Sequence, residues 1–300
     1  MKPGLLSTAE VARMLTVNES TIKRWTDKGN LRCMKTPGGH RKYKMKDVVE
    51  FMDACRFDPA DLLVPSDKKL NTIGVSTDYA ILTKDFTVLA DIFYNTIMEG
   101  NREHAFQFLN LLYVNRITTT ELYDTIISPA LFAVGVKWMK NEIGIEREHL
   151  ASNTALHAIV QLQDNVARRA RTNNVALCGC LEEEYHEIGI TCVNNALDSH
   201  GWTTYYLGPN LPADSFIDAV ENYVPNIICI STTTPKSKKM LLKNLHRIKD
   251  SASLINAKLI VGGAGAGESI RKKLPVDFVS QSIAELLGYV DSLHPEPASK

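Results

Sequence analysis

Glu184-Tyr185-His186-Glu187-Ile188-Gly189 lies between an apolar run, Val175 to Leu181, and an amphipathic stretch, Ile188 to His200. The apolar run is the length of a buried strand and the amphipathic stretch has helical spacing. A strand that passes through a histidine-bearing loop into a helix is where an α/β domain places a ligand. Strand and helix then alternate to the end of the chain. Strands are expected at Val175 to Leu181, Thr203 to Leu207, Asn226 to Thr232, Lys258 to Val261 and Asp277 to Ser280. Helices are expected at His186 to His200, Ala213 to Tyr223, Lys236 to Asp250, Glu268 to Leu274 and Ser282 to Leu293. Five strands separated by helices predict a Rossmann-like parallel five-stranded sheet. Its ligand loops would be Glu184-Tyr185-His186, Gly208-Pro209-Asn210, Ser231-Thr232-Thr233-Thr234 and Gly262 to Gly267. The glycines of the last loop imitate a dinucleotide fingerprint, but they follow the fourth strand and not the first, so that reading is rejected.

This pattern resembles the cobalamin-binding domain of methionine synthase, corrinoid proteins and certain mutases. The resemblance rests on Glu184, His186 and Gly189 after the first strand, Ser231 with Thr232 and Thr233 after the third, and Gly262-Gly263 after the fourth. It implies that His186 ligates cobalt and that Glu184 holds the imidazole from behind, fixing its tautomer.

Upstream, Thr83 to Arg171 holds one proline, Pro129, and repeats apolar residues at three and four. Four helices are read there, around Phe86 to Phe93, Ala105 to Leu112, Ile127 to Trp138, and from about Glu146 through Val160. They predict a four-helix bundle. Trp138 ends the third helix, and Glu148-His149 open the fourth.

The amino-terminal 50 residues hold eleven Lys or Arg against five acids, an excess of six, although the whole chain is formally neutral. A basic end on an acidic body suggests a nucleic-acid module. Ser7 and Glu10 have capping-box spacing before a short helix, and a second run, Glu19 to Lys28, ends at Gly29. Thr36-Pro37-Gly38-Gly39-His40-Arg41-Lys42-Tyr43 then supplies a turn and a basic, aromatic arm. This segment resembles the winged helix-turn-helix of MerR regulators, whose wing commonly reads Thr-Pro-Gly-Gly-His-Arg-Arg-Tyr. The resemblance implies that Thr21, Lys23 and Arg24 face a major groove and that His40, Arg41, Lys42 and Tyr43 set the wing on the DNA. Trp25, three residues after Ile22, is expected in the core.

The expected organisation is a DNA-binding domain over 1–56, a linker over 57–77, a four-helix bundle over 78–171 and a cobalamin-binding domain over 172–300. None of the six cysteines forms a C-x2-C pair, so all are expected reduced and structural. No apolar run reaches a membrane-spanning length and no signal-peptide core opens the chain, so a cytoplasmic protein with no membrane contact is expected.

In this order the modules resemble the CarH photoreceptor family, which carries Trp, nine residues, then Glu-His. Trp138 precedes Glu148-His149 by that spacing. The resemblance implies adenosylcobalamin as cofactor, with Trp138, Glu148 and His149 over its adenosyl group. It also implies a homotetramer that represses at a double-stranded DNA operator in the dark, released by light without catalytic turnover. One position departs: the family's histidine after the tryptophan is Met139 here. Two other readings stay open, a light-independent cobalamin-binding MerR-type regulator and a corrinoid carrier in methyl transfer.

Overall fold

The computed structural model describes residues 5–15, 17–54, 77–233 and 237–293, and the chain divides into two compact units, 1–167 and 168–300. The expected linker therefore lies outside the described residues except for Thr77, which opens a helix.

The first unit begins with β1 (Leu6–Ser7), α1 (Thr8–Met14) and α2 (Glu19–Asp27). Ser7 and Glu10 cap each other, Ser7 N–H to Glu10 Oε2 at 2.6 Å and Glu10 N–H to Ser7 Oγ at 3.3 Å. Asn18 caps α2 by accepting from the Ser20 N–H. β2 (Met34–Lys35) and β3 (Arg41–Tyr43) form a hairpin, and β1 pairs antiparallel on the far side of β3, giving the order β1-β3-β2. Its turn uses Gly39 at φ +78°, a conformation glycine adopts without a side-chain clash. α3 (Met45–Ala54) closes this part over a core of Val11, Leu15, Ile22, Leu31, Tyr43 and Met52. Trp25 is half-buried at the edge of that core, its ring 4.9 Å from that of Phe51.

The helical part comprises α4 (Thr77–Leu82), α5 (Phe86–Met98), α6 (Arg102–Val114), α7 (Thr119–Glu121), a π-helical turn over Leu122–Ile127, α8 (Ser128–Met139) and α9 (Ile145–Gln163). Phe93 and Phe108 stack in its centre, with ring centroids 6.3 Å apart. The segments from Thr119 to Met139 are continuous, so the third helix starts eight residues before the expected Ile127. Pro129 does not break this rod, although a proline inside a helix has no N–H and its ring crowds the carbonyl four residues back. The wider π turn immediately before it relaxes that crowding and carries the rod through. Val114, at the end of α6, is buried in the same core as α1 to α3, with Tyr113 packed against it. The basic end and the helices thus share one unit.

The second unit holds β4 (Val175–Leu181), α10 (Ile188–Ser199), β5 (Thr203–Leu211), α11 (Ala213–Tyr223), β6 (Ile227–Ser231), α12 (Lys238–Leu254), β7 (Lys258–Gly262), α13 (Glu268–Arg271), β8 (Phe278–Ser280) and α14 (Ile283–Leu293). The five strands are parallel, in the order β5-β4-β6-β7-β8. β4, β6 and β7 are apolar almost throughout, as strands covered on both faces must be. One face packs on α11, α12 and α13 through Phe216, Val220, Leu241, Leu245 and Ile270. Strand order reverses between β4 and β6, and the carboxyl ends at such a reversal are where open α/β sheets bind ligands. β5 runs four residues beyond its expected end because Gly208, at φ +78°, lets the strand shift register past β4 and continue to Leu211. Cys178, Cys180, Cys192 and Cys229 are buried free thiols and Cys33 is half-buried and free. Burial pushes the Cys180 thiol up to about 12.

Candidate functional site

Glu184 and His186 stand beyond the carboxyl end of β4, where the strand order reverses. The loop that carries them leaves β4 with Glu183 at φ +67°, an uncommon conformation for a residue with a side chain. Asn210, just beyond Gly208-Pro209, holds it there: its side-chain carbonyl accepts the Glu183 N–H at 2.9 Å and its own N–H donates to the Glu184 carbonyl at 2.9 Å.

The Glu184 carboxylate is nearly buried and fully engaged. Oε1 lies 2.5 Å from His186 Nδ1 and accepts the His186 backbone N–H at 3.0 Å. Oε2 accepts the Thr233 N–H at 2.6 Å, which ties the loop after β4 to the loop after β6. Burial alone would push this carboxyl up, but His186 and the two backbone donors outweigh it and hold it below the ordinary carboxylate range. The ionised form therefore faces Nδ1, and a proton on Nδ1 puts the imidazole lone pair on Nε2. The His186 side chain is 55% exposed while its Glu184 partner is 7% exposed. A buried anion behind an exposed imidazole is the arrangement that raises ligand basicity toward a metal.

The remaining predicted residues of this unit surround that pair. A Cβ at Gly189 would lie 3.0 Å from Ser231 Oγ, so the glycine lets the first turn of α10 sit against the buried serine. Thr232 N–H donates to the Gly262 carbonyl at 3.0 Å, and its own carbonyl accepts from Gly265 N–H at 2.9 Å. Gly263, at φ +95°, would place a Cβ 2.3 Å from the Thr232 carbonyl oxygen, so only glycine fits there. Glu184, His186, Gly189, Ser231, Thr232, Thr233, Gly262 and Gly263 thus meet at one end of the sheet. A corrin-held metal needs one protein ligand, and among the described residues no three His, Cys, Asp or Glu side chains group as a metal cluster. A single pinned histidine beside a floor of small residues fits such a group.

Sequence reading missed the outer support of this loop. Tyr206 donates to Glu187 Oε2 at 2.9 Å and lies 3.0 Å from Thr191 Oγ1, and burial pushes its phenol up. Asn244 donates to Glu182 Oε1 at 2.7 Å. The run of acids before and after His186 was visible, but their partners are supplied by β5 and α12 and are distant in sequence.

In the first unit, Trp138 is 46% exposed and Met139 66% exposed at the end of α8. Glu148 and His149 lie in the first turn of α9, their Oε2 and Nε2 atoms 3.5 Å apart, and Ser152 donates to Glu148 Oε1 at 2.7 Å. On the helix-turn-helix, Lys23 and Arg24 are exposed on α2, Thr21 is half-buried, and His40 is exposed at the hairpin tip. Tyr43 corrects the expectation. It is fully buried, opposite Leu6 in the β1–β3 register, with its hydroxyl 3.0 Å from Thr26 Oγ1. It is a core residue, because side chains alternate along β3 and the aromatic one faces inward. Arg41 is spoken for by Asp27 at 2.6 Å, whose hydrogen bond raises its pKa, while Lys42 is half-buried on the same strand.

Comparison with known proteins agrees with this division. A helix-turn-helix domain matches residues 5–56, a B12 binding domain matches 174–285, and a second B12 binding domain matches 89–163. A dimethylamine corrinoid protein of Methanosarcina barkeri is 22% identical over 179 residues, covering 58% of this chain and 83% of that protein. A trimethylamine corrinoid protein of the same organism is 20% identical over 197 residues, 65% of this chain and 91% of the other. The structure of the Methanosarcina barkeri monomethylamine corrinoid protein superposes with a TM-score of 0.59 at 15% identity, over 69% of this chain and 99% of that one, which shows a shared fold. Among the described residues no helix is long and apolar enough to cross a membrane. A helix-turn-helix domain followed by B12 binding domains makes this chain a cobalamin-binding, DNA-binding protein.

Proposed function

We propose that the chain is a light-responsive transcriptional repressor of the MerR type, similar to the CarH photoreceptors, with adenosylcobalamin as its chromophore. The observation that carries the proposal is the half-exposed Trp138 at the end of α8, followed after nine residues by Glu148 and His149 in the opening turn of α9. A large aromatic left uncovered beside a hydrogen-bonding pair suits an adenosyl group, whose base offers a flat face and polar edges. In this reading His186 would hold the cobalt, Glu184 would fix its ring, and Ser231 to Thr233 with Gly262-Gly263 would line the nucleotide tail. The cofactor supplies a cobalt–carbon bond that light breaks. The chain's residues would hold the adenosyl group and order a homotetramer while it is bound. In the dark assembly Thr21, Lys23, Arg24, His40 and Lys42 would face the operator, and no substrate would be turned over.

The test is size-exclusion chromatography of the purified chain with adenosylcobalamin in the dark and after illumination. A cofactor-dependent assembly that falls apart under light is expected. An assembly indifferent to light, with DNA binding intact, would leave a light-independent cobalamin-responsive regulator.

A second reading, a corrinoid carrier in methyl transfer, is favoured by the methylamine corrinoid proteins among the relatives. It predicts a chain that accepts methyl groups on its corrinoid and binds no DNA, and the exposed cations of α2 speak against it.

A further inference from the structure

The exposed face of α12 carries charge that its unit does not neutralise. This helix has Lys238, Lys239, Lys243, Arg247 and Lys249 before its one acid, Asp250, two turns beyond Lys243. Arg247 is paired with Asp214, and Lys249 with Asp277 at 2.6 Å. Lys238, Lys239 and Lys243 are exposed and make no ion pair among the described residues, and His246 is exposed beside them. Lys239, Lys243 and His246 follow at i, i+4 and i+7, so they form one stripe.

Two features of this stripe work against the helix itself. Lys238 and Lys239 occupy the first two positions after the Ser237 cap, where the helix dipole is positive and cations are disfavoured. Lys239 and Lys243 are a like-charged i, i+4 pair, which is also destabilising. Local rules broken without a compensating interaction inside the chain mark a surface kept for a partner. The partner should be a polyanion, because the unpaired side chains of this face are flexible cations and Met240 is the one large exposed apolar group among them, fewer anchors than a protein interface would need. The same chain carries a helix-turn-helix domain.

We propose that the Lys238, Lys239 and Lys243 face of α12 binds DNA backbone phosphates, a second, sequence-independent attachment beyond the helix-turn-helix. Such an attachment contributes affinity and salt dependence and no base preference. It requires neither light nor a particular cofactor form.

The experiment is a titration of the full chain against two duplexes of equal length, one selected by the protein from a random pool and one scrambled, at several salt concentrations. The variant carries Lys238→Gln, Lys239→Gln and Lys243→Gln together, and a companion carries Arg at all three positions; circular dichroism verifies that both fold. The Gln variant should bind both duplexes more weakly, with its slope of log K against log salt shallower by about 2 to 3, at ~0.9 for each phosphate no longer neutralised. The Arg variant should keep the wild-type slope. An unchanged slope in the Gln variant overturns the proposal, as does a wild-type chain that binds neither duplex. If the slope is unchanged and poly-glutamate binds wild type but not the Gln variant, the face belongs to an acidic protein.

Discussion

Glu184 holds three donors with two oxygens, and each donor comes from a part of the site that must not drift. Replacing it with Gln keeps the shape but removes the anion behind His186. The amide nitrogen would also meet one of these donors, either the His186 pair or the Thr233 N–H, as a repulsive neighbour. Cobalamin titration should show roughly 10- to 100-fold weaker binding, the usual cost of losing a carboxylate behind a metal-binding histidine. The same carboxyl gives the second unit a pH dependence of known sign. A carboxyl held below its ordinary value adds stability that is full above the unfolded pKa of about 4.3 and is lost as pH falls through the folded value. Thermal melts of wild type and Glu184→Gln should therefore converge as pH drops from ~5 toward ~3; curves that stay parallel would show that Glu184 contributes nothing through its charge. Met139 sets a second expectation at this scale. If the proposed function holds, a thioether where CarH proteins place a histidine is a poor cobalt ligand, so an illuminated state of this chain should be less locked than in the CarH proteins. A spectrum with two imidazole ligands after illumination, in both wild type and His149→Ala, would contradict it.

Tyr43 and α6 show what an element does beyond its own length. Tyr43 ends β3 and lies in the core of the helix-turn-helix, so Tyr43→Phe should cost only about 1 kcal/mol, the worth of its hydroxyl hydrogen bond with Thr26. Tyr43→Ala should cost about 3 to 5 kcal/mol through the cavity it leaves. Denaturant unfolding would separate the two, and equal small losses would put the ring at the surface after all. The wing motif made Tyr43 look like a DNA-binding residue because a motif records identity and not facing; the alternation of β3 decides the facing, and three residues are too few to display it. The α/β elements were legible for the opposite reason. β4, β6 and β7 are uninterrupted apolar runs bounded by polar loops, and α11 occupies Ala213–Tyr223 as its spacing predicts. His186 and Glu184 were legible because their pairing is local, two residues apart. Tyr206 and Asn244 were not, because their partners are supplied by tertiary structure, and Asn210 was placed in a ligand loop without its role in holding Glu183 and Glu184. The rod from Thr119 to Met139 was entered late, at Ile127, because the π turn over Leu122–Ile127 shifts the phase of its apolar residues.

At the scale of the molecule, the chain carries a short helix-turn-helix domain over residues 5–56, with a few exposed cations on α2. A single module of that size binds modestly, and useful occupancy of an operator calls for several modules held together. Joining them makes each later binding event intramolecular, which raises apparent affinity by about 10²- to 10⁴-fold without any new interaction. The proposed repressor therefore has a quantitative signature. Binding to a duplex with several copies of the selected half-site should tighten by about 100-fold or more when adenosylcobalamin is added in the dark, and light should reverse it. Binding to a single half-site should hardly respond to either, since one module gains nothing from its neighbours. Dark and illuminated gel shifts on the two duplexes measure both effects. A cofactor response of equal size on both would place the switch inside each helix-turn-helix, with Val114 and Tyr113 in its core as the route, and would remove assembly from the mechanism.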